Sequence, residues 1–178
     1  MEKEVTVVEM GDNPTRLAAL TTKTVHASVF GVPYSVAVQK AGFPAMLEGH
    51  KLGLKFQGSG IATTSAFLRE QRPVVEQFFK GFLEGVHFAK THREESVQLI
   101  KEFLKLKDDD EAEETYRVIV QEIQPRKPYP LKEGIETVLA HRREDGPQAL
   151  KDANPEELIN DSVIKRLDES GFIDKLYK

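Results

Sequence analysis

The chain contains no cysteine. That absence excludes a disulfide framework, a thiolate zinc site, an iron–sulfur cluster and a cysteine nucleophile, and it leaves the compartment open. Long apolar runs are missing too: no window approaches the ~18 apolar residues that a membrane-spanning helix needs. No block of basic residues stands out, and the formal net charge is −4 with a pI near 5.8. Neither nucleic acid nor an anionic membrane surface is therefore an expected partner. The opening residues, Met1-Glu2-Lys3-Glu4 running into Val5-Thr6-Val7-Val8, carry no basic n-region, long apolar core or small-residue cleavage site. From the residues alone, the chain is cytoplasmic if Met1 is the natural start; otherwise Met1 opens a piece of a longer protein. No internal repeat and no low-complexity segment is present.

What is there suits a globular domain. Of 178 residues, 39% are apolar and 30% charged, enough apolar mass for a core, in one domain or in one domain with a long helical appendage. Two textures meet near residue 70. Before it, short β-branched runs alternate with short helical patterns. Glu4 to Met10, Thr24 to Phe30, Ala45 to Leu47, Leu54 to Gln57 and Ile61 to Phe67 read as extended segments. Asp12-Asn13-Pro14 opens a helix, with a capping side chain and a proline in the first turn. Gly31-Val32-Pro33-Tyr34 opens a second helix that stops at Gly42. Strand, helix, strand, helix, strand is the rhythm of a parallel sheet. After residue 70 almost everything is helical. Val74, Val75, Phe78, Phe79, Phe82, Leu83 and Val86 recur at helical spacing. Thr91-His92-Arg93-Glu94 fits a capping box, Asp108 opens a helix running through Ile123, and Pro125, Pro128 and Pro130 force an extended stretch. Leu131 to Arg143 is the next helix. Pieces starting at Asn154-Pro155 or Asp161-Ser162 and ending at Gly171 complete the chain.

Few constellations carry chemistry. His26, His50, His87, His92 and His141 show no ligand spacing, so no metal is expected from them. No GxSxG, Walker A or GxGxxG pattern occurs, and no acid/base pair or nucleophile-plus-base arrangement stands out. An enzyme is accordingly not expected, nor is a cofactor. Gly58-Ser59-Gly60 is either a hinge or a backbone N–H cradle facing a ligand. Asp108-Asp109-Asp110 with Glu111, Glu113 and Glu114 lacks the glycine and alternating ligands of a calcium loop and reads as a solvated helix start. The Phe-rich stripe of residues 74–86 is core or interface. More informative are Gly11 to Arg16 and Gly31 to Tyr34, each a turn from a strand end into a helix N-terminus. Ligands gather at that edge of α/β sheets, and free N–H groups attract anions there. Asn13, Thr15 and Arg16 add donors and Tyr34 an amphipathic wall; the plainer reading is capping chemistry with one surface arginine.

In this order, these stretches resemble one family. "GDNPTRLAALTTKTVHASVFGVPYSVAVQKAGF" is similar to the second-lobe segment of nitrate/sulfonate/taurine-type periplasmic solute-binding proteins of ABC importers. "GSGIATTSAFLREQRPVVEQFFKGFLEGVHFAKTHREESVQLI" resembles their return into the first lobe, and "NPEELINDSVIKRLDESGFIDKLYK" their C-terminal end. Related pyrimidine-precursor proteins of thiamine metabolism share that fold, and some are enzymes, but their Cys-rich signature cannot exist here. The chain departs from the pattern at His26-Ala27, where an Asp-Ala pair is usual, and at Val32, where an acidic residue often precedes Pro-Tyr.

The resemblance implies an α/β fold: a partial, type II periplasmic-binding-protein-like architecture lacking the N-terminal half. Residues 1–57 would belong to an incomplete second lobe with short parallel strands. Residues 58–70 would be the hinge or crossing segment, and residues 71–178 the helical region that normally packs on the first lobe. Its function would be to bind a small anionic or heterocyclic solute by two-lobe closure and deliver it to an ABC permease, in the periplasm or anchored to the outside face of the membrane. Asn13, Thr15, Arg16, Tyr34 and Ser59 are the expected ligand-binding residues. The alternative is a truncated remnant acting as an oligomerising interaction protein without solute. Apolar helix faces and strand edges left without their usual cover would drive a homo-oligomer or a domain-swapped dimer.

Overall fold

A computed structural model of the protein describes residues 4–53 and 55–178, without the side chains of residues 50, 143–145 and 149. Met1 to Lys3, Leu54 of the fourth expected strand and the side chain of His50 lie outside the described residues. The architecture is all-helical, with 61% helix and no strand or sheet among the described residues. That overturns the α/β expectation, including its incomplete second lobe of short parallel strands. The backbone at 5–11, 27–31, 43–48 and 55–64 runs without regular structure, and Ser65–Glu70, which overlaps the end of the last expected strand, is a helix. The physical reason is pairing. A strand is stabilised by ladder hydrogen bonds and by burial of one face, and these segments have neither. Val7 is 92% exposed and Val29 79%. β-branched patterning marks where a sheet could form; it does not supply the second strand. No helix among the described residues is long and apolar enough to cross a membrane.

The chain divides into two compact units that do not follow chain order: Met1–Leu47 with Glu94–Ile119, and Glu48–Arg93 with Val120–Lys178. In the first unit, α1 (Asn13–Thr21) starts where the Asp12 carboxylate accepts the Thr15 N–H at 3.0 Å, with proline in the first turn. It buries Ala19 and Leu20. Helix α2 (Tyr34–Lys40) buries Val38 and is followed by Gly42 in the left-handed region (φ 88°), a conformation that favours glycine. Helix α5 (Arg93–Leu104) contributes buried Ser96 and Val97, and α6 (Asp109–Tyr116) buried Ala112, Thr115 and Tyr116. Asp108 caps α6 by accepting the Asp110 N–H at 2.8 Å. The Lys40 ammonium at the end of α2 pairs with Asp108 and with Asp110 (3.1 Å) at the start of α6, so basic and acidic ends meet with favourable dipole sense. Beyond Tyr116 the helix widens into a π-helical segment, Arg117–Ile123, a rare form that occurs mostly as short insertions in α-helices.

The second unit is built on α4 (Arg72–Thr91), preceded by α3 (Ser65–Glu70) and followed, after the segment of the first unit, by α7 (Lys132–Asp145), α8 (Gln148–Lys151), α9 (Ser162–Glu169) and α10 (Phe172–Leu176). Its core joins Val75 and Leu83 of α4 to Val163, Ile164 and Leu167 of α9 and Ile173 of α10, with Leu68, Phe79, Phe172, Leu176 and Tyr177 packed against it. Full burial of each large apolar side chain here contributes about 1.5–3 kcal/mol. Gly171 at φ 72° permits the turn between α9 and α10. Glu76 accepts from Arg72 at 3.1 Å and from Arg166 at 3.0 Å, and Arg72 also donates to the Ser162 carbonyl at 3.3 Å. These contacts fasten the start of α4 to α9. Thr91 does not cap α5 as its sequence motif suggests: its hydroxyl donates back to the His87 carbonyl at 2.8 Å. Gly134 of α7 lets the extended backbone at Phe56–Gln57 lie against the helix. A Cβ there would stand 2.7 Å from the Gln57 nitrogen. Gln57 Oε1 in turn accepts the Leu131 N–H at 2.9 Å, satisfying an amide at the start of α7.

Candidate functional site

Arg16 links the first of the two turns singled out in the sequence to the segment just before the second. Its Nη2 donates to Asn13 Oδ1 at 2.8 Å, its Nη1 to the Val29 carbonyl at 3.1 Å, and its Nε to the Asp12 carbonyl at 3.4 Å. The guanidinium also lies 6.0 Å from the centre of the Phe30 ring, at the outer limit of a cation–π contact. One side chain thus joins the start of α1 to the segment that runs into Gly31 and Tyr34. Tyr34, half-buried, is the first residue of α2. Asn13, Thr15 and Arg16 are therefore grouped, and Phe30 beside them is an aromatic wall absent from the sequence reading. Its position next to the turn was the available signal.

The electrostatics of this group differ from an open anion cradle. A helix N-terminus attracts an anion through unpaired N–H groups, and α1 already holds the Asp12 carboxylate there. Hydrogen bonds from Thr15 lower the Asp12 pKa below the usual carboxylate value, and the nearby Arg16 charge adds to the effect. The Arg16 donors face Asn13, Val29 and Asp12. Phe30 and Tyr34, the aromatic residues beside the second turn, are both half-buried.

Ser59 belongs to the second unit. It lies on the exposed stretch at 55–64, where its carbonyl accepts from the Gln57 side-chain amide. Gln57 is anchored to α7, so this stretch is attached at one point rather than free along its length.

Other polar clusters resolve into internal contacts. Asp108 and Asp110 pair with Lys40, and Asp109 with Lys101, as a salt-bridged helix start. A concavity of about 680 Å³ in the first unit is lined by Glu94, Glu95, Glu102 and Glu113 with Val97, Gln98 and Leu99. Its acidic rim disfavours an anionic solute, and among the described residues no group of His, Asp and Glu is placed to hold a metal. In the second unit, Lys90, Arg126, His87 and Tyr177 gather at the end of α4. The Lys90 ammonium donates to the Val120 carbonyl at 2.5 Å, and the Arg126 guanidinium stacks 4.4 Å from the Tyr177 ring centre. The His87 ring meets that tyrosine edge-on at 4.9 Å. Burial, with the Arg126 charge behind it, lowers the Lys90 pKa, and burial raises that of Tyr177. The Tyr177 hydroxyl is buried without a partner among the described residues. Sequence reasoning passed over this group because its members are spread from residue 87 to residue 177.

No family model matches the chain, and comparison with curated proteins and with solved structures returns no match.

Proposed function

We propose that the chain is the solute-binding component, or a piece of one, of an ABC-type importer. The reading draws on the ordered resemblance of its segments, and one observation carries it to a site: Arg16 ties the start of α1 to the Val29–Phe30 segment leading into Tyr34. The solute class follows from the local chemistry. Asp12 fills the helix N-terminus and Arg16 is engaged within the chain, while Phe30 and Tyr34 are half-buried aromatics beside them in sequence. A planar heterocycle, stacking on an aromatic wall and hydrogen-bonding to Asn13, suits this surface better than nitrate or a sulfonate. Closure over the solute and docking to a permease would complete the transport role.

Calorimetric titration of the purified chain with an aminopyrimidine, taurine and nitrate tests the proposal. The expected outcome is binding of the aminopyrimidine alone, weakened about tenfold, or about 1.4 kcal/mol, by Tyr34→Ala. Absence of heat with all three would overturn it, and preferential binding of nitrate or taurine would overturn the solute class.

A second reading, an interaction protein without solute, is favoured by a separate observation. Helix α4 carries Val74 and Phe78 outside the core, 54% and 57% exposed, and a helix apolar on more than one side is ordinarily covered on more than one side.

A further inference from the structure

The side chains gathered at the end of α4 include two cations and no carboxylate. Their juxtaposition begins in the backbone. In a π-helix a carbonyl accepts from the N–H five residues further on, and five residues beyond Val120 stands Pro125, which has no N–H. The Lys90 ammonium takes that place, donating to the Val120 carbonyl at 2.5 Å. This contact uses one of the three lysine donors and holds the half-buried amine beside the segment that carries Arg126. Arg126 is set in turn by the Tyr177 ring, whose centre lies 4.4 Å from the guanidinium, and Tyr177 by the edge-on His87 ring.

Several other cations of this unit have carboxylate partners. Lys127, the residue after Arg126, meets Asp168 at 2.7 Å and Asp174 at 3.0 Å, Lys132 meets Glu156, and Arg72 and Arg166 share Glu76. Among the described residues neither Lys90 nor Arg126 has a carboxylate at ion-pair distance. The charge that acts on Lys90 is that of Arg126, of the same sign, and burial adds to the cost of its ammonium. In the same group the Tyr177 hydroxyl is buried without a partner among the described residues. A buried polar group in that condition is ordinarily met by water or an ion. Two like charges with spare donors and a hydroxyl with an unused one match a single kind of occupant, an anion rich in acceptor oxygens.

We propose that Lys90 and Arg126, with Tyr177 against them, form a binding site for the phosphate group of a small molecule. Arg126 presents a planar fork that fits two phosphate oxygens, and Lys90 a point charge for a third. A phosphomonoester carries a charge of about −2 at neutral pH, so it neutralises both cations, which a singly charged anion such as nitrate does not. The site lies in the second unit and is independent of the Arg16 group and its solute.

Titration of the full chain with inorganic phosphate, glycerol phosphate and nitrate tests the site, read by calorimetry and by the NMR shift of the Arg126 Nε–H signal. Both phosphates should bind at millimolar concentration or below and move that signal, with nitrate at least about tenfold weaker. Tighter binding of glycerol phosphate marks an esterified phosphate as the ligand, and tighter binding of inorganic phosphate marks the free ion. Arg126→Gln should weaken phosphate binding at least about tenfold. Arg126 is exposed, so the variant should keep its helicity by circular dichroism. Lys90→Met should weaken binding likewise, whereas Lys151→Gln, at an exposed position on α8, should leave it unchanged. Tyr177→Phe keeps the ring against Arg126 and should weaken binding several-fold. No phosphate binding at tens of millimolar, or binding that folded Arg126→Gln or Lys90→Met leaves unchanged, would overturn the inference. Nitrate binding as tightly as phosphate would overturn the phosphate class, and unchanged binding by Tyr177→Phe the hydroxyl's place in the site.

Discussion

Residues 4–64 and residues 65–178 both contain recurrent apolar stretches, yet in the first only α1 and α2 bury any of them, at Ala19, Leu20 and Val38, whereas the second builds an extended core. In the second region the helices satisfy their own backbone groups first and then bury a stripe: Leu83 and Ile173 are 1% and 0% exposed. In the first, outside α1 and α2, the valine-rich runs leave their backbone groups to water unless a neighbouring strand pairs them, and among the described residues no such strand is present. The difference is one of bond closure: a helix is complete within its own segment, whereas a strand is incomplete until another segment arrives.

The sharpest way to test that contrast is to remove comparable apolar mass from each region. Leu83→Ala should destabilise the second unit by about 2–5 kcal/mol, because it leaves a cavity between α4 and α9. Val7→Ala, on the exposed stretch, should stay within about 0.5 kcal/mol of the parent. Chemical denaturation followed by helical circular dichroism reads both.

A smaller effect is expected where the two kinds of segment touch. Gly134→Ala places a methyl against the Gln57 backbone and should cost about 1–3 kcal/mol, the usual range for overpacking. The loss should be accompanied by faster proteolysis at residues 55–64. Smaller again is Thr64→Ala. The Thr64 hydroxyl caps α3 by accepting the Phe67 N–H at 3.1 Å, and its removal should cost about 1 kcal/mol.

The least effect is the pH response of the second unit. The Asp168 carboxylate is held below its ordinary value by the Lys127 ammonium and then by the Tyr129 hydroxyl. Its contribution is therefore fully present above the ordinary carboxylate value of 3.8 and is lost as the pH falls through the lower folded-state value. Acid titration should show a small loss of stability below about pH 4 that Asp168→Asn reduces, leaving the part carried by Glu156, whose carboxylate is lowered by Lys132. An equal loss in the variant would assign the effect to other carboxylates.

Much of the helical region was legible in sequence. Asp12, Gly42, Asp108, Asn154 and Gly171 mark helix ends where the structure has them, since capping depends on adjacent residues. The strands were not legible as unpaired, because their patterning describes a face and not a partner. The candidate site was legible in part. Asn13, Thr15 and Arg16 fall together through local geometry, whereas the Arg16 contact to Val29 and the wall at Phe30 depend on a chain reversal that no spacing rule reports. The Thr91 motif shows the same limit: its residue types fit a cap, yet the hydroxyl bonds backward into α4.

Amide hydrogen exchange tests most directly the contrast between a closed helical core and open extended segments. The expected result is strong protection across residues 75–90 and 163–168, with residues 5–10, 27–30 and 55–63 exchanging at rates close to those of an unstructured peptide. Protection of 5–10 and 27–30 comparable to that of α4 would contradict it, because those amides would then be paired in a sheet.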